Sequence, residues 1–173
     1  MMPRDFFRPV VAITALGVPV LSLIAPSWFA VTGVGPSWGV LWLLPWALVN
    51  GPFAGLIAGL LLGLILDAIS LGQVSQVFAL MLLGFWWGRL GRTGPPIEKS
   101  LNLGLLAWFG SVLVSSSILA QFLMVNFSVR TSLFYSWGLH TLFAKSIVTG
   151  LLSPLICSVL LSLFMRYKLI GKE

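Results

Sequence analysis

The chain has 173 residues and a formal net charge of +6, yet only 8% of its residues are charged while 58% are hydrophobic. A soluble domain usually carries about 25% charge and a disordered chain is poor in apolar residues, so both classes are excluded. The 80 residues between Arg8 and Arg89 hold one full charge, Asp67, and the 30 between Lys99 and Arg130 hold none. The sequence specifies an integral membrane protein. Its runs are apolar on every face rather than alternating, so the architecture is all-α and not a barrel.

A span takes about 20 apolar residues. One membrane domain covering residues 1–173 then has six candidate spans: 10–29, 37–49, 53–69, 74–88, 101–125 and 139–165. Arg4 and Arg8 precede the first, as in a signal peptide. No small-x-small cleavage site leads from it into a polar mature domain, so it is read as a span, kinked at Pro19. The second is short, contains Pro45 and carries Trp38, Trp42 and Trp46 four residues apart. It either crosses with help from its flanks or lies partly in the interface, where tryptophan is favoured.

Asn50, Gly51 and Pro52 form a tight turn or helix start before the third segment. After Ser70–Gln73 the fourth segment ends in Phe85, Trp86 and Trp87, expected as an aromatic girdle before the polar 89–99 loop. The fifth is long enough to tilt, and the sixth is expected to bend near Gly150 and Pro154. Six spans with both termini cytoplasmic place Arg4, Arg8, Arg89, Arg92, Lys99, Arg166, Lys168 and Lys172 on one side, as the positive-inside rule requires. Of these, Arg89, Arg92, Lys99, Arg166, Lys168 and Lys172 form a basic cytoplasmic surface. Such charges meet lipid headgroups. They lie between spans rather than on one contiguous face, which gives no case for nucleic acid.

Gly51, Gly55, Gly59, Gly63 and Asp67 recur at steps of four in the third segment. That step keeps residues on one helix face, giving a ridge without side chains against which another helix can pack closely. Asp67 closes the ridge. It has three readings: a hydrated turn cap with Ser70, an ion pair with Lys145 locking helices three and six, or proton or solute coupling.

Cys157 reads as a small buried hydrophobe and His140 as an interface or packing residue. Ser111, Ser115, Ser116 and Ser117 form a packing or hydrogen-bonding face. No metal-ligand cluster, nucleophile–base pair or phosphate loop is present, so neither enzymatic activity nor a cofactor is expected.

The stretch Gly51–Leu90 resembles the MreD family of bacterial rod shape-determining membrane proteins. Gly59, Gly63 and Asp67 match the family's glycine-stepped helix, Leu71 and Gly72 its turn, and Gly84 and Gly88 the end of its second helix. Ser75, Gln76, Val77 and Phe78 depart from the alanine and tyrosine often found after that turn. The resemblance implies a non-enzymatic scaffold of the cell-elongation machinery in the bacterial cytoplasmic (inner) membrane, organising peptidoglycan synthesis. Its implied partners are an MreC-like bitopic protein, the MreB filament, a RodA-type synthase and a penicillin-binding protein. The family fold is also similar to the membrane substrate-binding subunits of energy-coupling-factor transporters. The alternative function is therefore a small-solute, vitamin-like binding subunit, with Asp67, Gln73, Gln76, Asn126, Arg130 and His140 as pocket candidates.

Overall fold

The computed structural model describes residues 9–24, 35–70, 74–93, 100–125 and 131–170. The described residues form six helices: α1 (Pro9–Ile24), α2 (Trp38–Asn50), α3 (Pro52–Ser70), α4 (Val77–Thr93), α5 (Ser100–Val125) and α6 (Thr131–Ile170). Among the described residues there is no strand.

Among the described residues three helices contain stretches long and apolar enough to cross a membrane: Pro52–Ile69, Asn102–Phe122 and His140–Met165. Exposure is inverted relative to a soluble protein. Leu151 and Leu155 on α6 are 75% and 71% exposed, whereas Ser111, Ser146, Thr149 and Ser153 are fully buried. Leucines facing outward and hydroxyls facing inward suit lipid as the surrounding solvent, because lipid offers no hydrogen bonds. The chain is a helical membrane protein.

Helix direction follows from the pairs in contact. Gly55 lies against Gly84 and Gly63 against Val77, so α3 and α4 are antiparallel. Gly104 lies against Pro154 and Gly150 against Trp108, so α5 and α6 are antiparallel too. Ser37 bonds Thr149, Cys157 bonds Leu41, and Phe164 packs edge-on to Trp46, so α2 and α6 run parallel. Neighbours in sequence thus alternate in direction.

The centre of the bundle is α2. Residues Gly39–Ala47 are all buried, and α2 packs against each of the other five helices. Trp42 and Trp46 stack at 5.5 Å, and Phe164 of α6 meets both edge-on. Two of the three tryptophans of this segment are therefore core residues, and Trp38 is half-buried. At a rise of about 1.5 Å per residue α2 is only about 20 Å long, shorter than the hydrocarbon core of about 30 Å. Burial inside protein is what permits so short a helix, with non-helical backbone before it.

Several helix boundaries differ from the expected spans, most of them in α4 and α6, the latter running on to Ile170. Helix α4 starts at Val77 rather than 74, because Val74–Gln76 form a turn fixed by side chains of α3 and α5. It also continues to Thr93, taking Arg89 and Arg92 out of the predicted loop. Helix α6 starts at Thr131, well before 139. Trp87 is the remaining correction. Phe85 and Trp86 are exposed, as a girdle requires, but Trp87 is completely buried, with its indole in the space left by Gly110.

Candidate functional site

The predicted glycine ridge is the seam between α3 and α4. A Cβ on Gly55 would strike the carbonyl of Gly84, one on Gly59 the carbonyl of Leu80, and one on Gly63 the Cα of Val77. From the other side, Gly84 meets Gly55 and Gly88 meets the backbone of Gly51 and Pro52. Both helices therefore contribute glycines to one backbone-to-backbone contact. At this separation dispersion and Cα–H···O contacts replace side-chain packing. Gly51 has a second reason to be glycine. Its φ of +94° lies in the left-handed region as the chain turns directly from α2 into α3, with Pro52 opening the new helix. The Arg92 guanidinium lies over this corner, at the negative end of α2.

At the far end of the seam Asp67 caps the hairpin turn. Its carboxylate accepts a 2.7 Å hydrogen bond from Ser75 Oγ and a 2.9 Å bond from the backbone N–H of Gln76. Gln121 of α5 completes the arrangement: its Oε1 accepts from Ser75 N at 3.0 Å and its Nε2 donates to Ser75 O at 2.8 Å and to Ser117 Oγ at 3.2 Å. The start of α4 is thus held from α3 by a carboxylate and from α5 by an amide. Of the three readings of Asp67, the turn cap matches this geometry in kind, with Ser75 and Gln76 as its partners. Ser70's side chain, Leu71, Gly72 and Gln73 lie outside the described residues.

The Asp67 carboxylate is turned into its own hairpin, and no ion pair with Lys145 joins α3 to α6 among the described residues. Lys145 instead lines a cavity of about 410 Å³ together with Ser37, Gly39, Leu66, Ile69 and Gln76. The cavity lies where α1 and α3 end and α2 and α4 begin. Below it a hydroxyl network ties α2, α5 and α6 together. Ser37 N–H donates to Thr149 Oγ1 at 2.9 Å, Ser111 Oγ donates to the same atom at 3.4 Å, and Thr149 Oγ1 donates to Lys145 O.

The serines of α5 divide. Ser111 joins the network and Ser117 the Gln121 contact, while Ser116 turns back to Leu113 O. Ser115 is buried, its hydroxyl without a hydrogen-bond partner among the described residues. Of the other predicted residues, Arg89, Arg92 and His140 are exposed and Gln76 borders the cavity. Lys99, Asn126, Arg130 and Lys172 lie outside the described residues, as do the side chains of Arg166 and Lys168. Sequence reasoning missed Gln121. Its signal was present: it is the one amide within 103–125, four residues after Ser117.

No protein-family model, curated protein or solved structure matches this chain.

Proposed function

We propose that this protein is a non-enzymatic scaffold of the bacterial cell-elongation machinery. In this reading it crosses the cytoplasmic membrane six times with both termini inside and helps set cell shape through an MreC-like partner. The observation supporting it is the α3–α4 hairpin. The described residues that carry the MreD resemblance, Gly59, Gly63, Asp67, Gly84 and Gly88, lie with Gly51 and Gly55 along one continuous seam with a capped turn. A hairpin closed this tightly leaves little room to flex, as a fixed platform for a partner helix requires. Arg89 and Arg92 then face the cytoplasm, beside headgroups and the MreB filament. The RodA-type synthase and penicillin-binding protein would be reached through the MreC-like partner. The test is depletion of the protein from its host. Rounding of cells at unchanged membrane lipid content is the expected result; rods that persist would overturn the reading.

The cavity favours a second reading, a solute-binding subunit, because its volume lies within the range of small-molecule pockets. Loss of uptake of one small solute with preserved cell shape would favour it.

A further inference from the structure

We propose that the cavity at Lys145 is a binding site for an anionic group, a phosphate or carboxylate, attached to a small apolar body. Three independent features of the cavity lead to the same chemistry.

The first is charge. Lys145 lies within the apolar stretch of α6, is mostly buried, and is the one charged residue among the described residues that line the cavity. Its ammonium has no hydrogen bond or ion pair with any described residue. An ammonium in an apolar bundle is costly unless it meets water or a counter-charge. The one acid among the described residues, Asp67, is engaged by Ser75 and Gln76.

The second is the helix end. Ser37, Trp38 and Gly39, the first residues of α2, line the same cavity, and Ser37 makes no side-chain cap for the helix. The 13-residue helix therefore presents its partially positive end to the space that Lys145 also faces. Two positive elements meet there, and the described residues lining the cavity include no acid to balance them.

The third is the backbone. Gly35–Ser37 are non-helical, and Pro36 and Ser37 are buried. Irregular backbone at membrane depth is tolerated where it is buried in protein or borders a polar cavity, and helix ends broken in this way meet anionic groups in membrane transporters. The 410 Å³ exceeds a bare phosphate, and Leu66, Ile69 and Trp38 give the remaining volume an apolar wall.

The anionic group can come from a phospholipid or from a soluble compound, and the site does not depend on the scaffold reading. The experiment uses the full-length protein in two arms. In nanodiscs, native mass spectrometry compares retention of phosphatidylglycerol with phosphatidylcholine of the same chains. In detergent, thermal stability is titrated with inorganic phosphate against chloride at matched ionic strength. Both arms compare the wild type with K145M, K145Q and K145R. K145M and K145Q remove an unbalanced charge and are expected to fold. The site predicts that one arm shows an anion preference of about tenfold that K145M and K145Q lose and K145R keeps. Preference in the first arm assigns a lipid headgroup, and in the second a soluble anion. Equal behaviour of wild type and both neutral variants in both arms overturns the proposal.

Discussion

The thiol of Cys157 donates a hydrogen bond of 3.4 Å to the carbonyl oxygen of Leu41. Leu41 lies four residues before Pro45, which has no N–H to offer that carbonyl. A cysteine on α6 thus supplies part of what a proline removes from α2. The thiol is itself placed by Ser153, whose hydroxyl bonds both Cys157 Sγ and the carbonyl of Leu103 on α5. Three helices meet at this point, where Leu41, Leu103, Ser153 and Cys157 are all buried.

A double-mutant cycle tests this relationship. C157A is expected to destabilise the protein by about 1 kcal/mol in the wild-type background and by much less beside P45A, where the helical N–H returns. Reversible unfolding in mixed micelles measures all four proteins. Additive effects would show that Cys157 only fills space.

Glycines in this chain are expected to divide by what stands opposite them. G55A and G59A drive a methyl into backbone carbonyls of α4 and should each cost about 1–3 kcal/mol. G17A meets nothing within 4 Å and should be neutral or slightly stabilising. G110A collides with the Trp87 indole, so W87L should recover much of its loss. Melting temperatures of the purified variants give the order, and a G17A as damaging as G55A would contradict the packing described.

The capped turn makes a separate prediction. D67A and Q121A each release part of Ser75–Gln76, and amide hydrogen exchange at these two residues should accelerate in both variants. The two effects should be non-additive, because both side chains hold one turn. The charge swap D67K/K145D should not rescue D67K, since the two residues are not paired.

Buried hydroxyls provide a paired comparison. Ser153 Oγ donates to Leu103 O across a helix interface, so S153A should cost about 1 kcal/mol. Ser115 Oγ has no partner among the described residues, and S115A should be neutral or stabilising, because it removes a buried polar atom left without a hydrogen bond there. Equal losses at both positions, measured by the same unfolding assay, would contradict the assignment.

These comparisons show what could be read from the sequence and what could not. The α3 ridge was legible because glycine at steps of four is a positional signal independent of hydropathy. Asp67 was conspicuous as a lone acid, but its partners were not, because Ser75 and Gln76 lie across a turn whose geometry spacing does not give. The burial of α2 was hidden for a physical reason. In a chain surrounded by lipid, apolar residues face both lipid and core, so periodicity does not tell inside from outside. Trp87 therefore reads as part of a girdle, and Trp42 and Trp46 stay open to an interfacial reading, although all three are buried. Gln121 was visible, since polar residues carry the directional information that leucines lack, yet its target is a backbone peptide, which no sequence pattern marks.

The central claim is that this packed hairpin belongs to a scaffold of cell elongation. Its most direct test is mild crosslinking in native membranes, affinity purification of the tagged protein and mass spectrometry of what accompanies it. The account predicts recovery of an MreC-like bitopic protein or an elongation-type cell-wall synthase. Recovery of an ATP-binding-cassette coupling module with a retained small molecule, and no elongation protein, would contradict it.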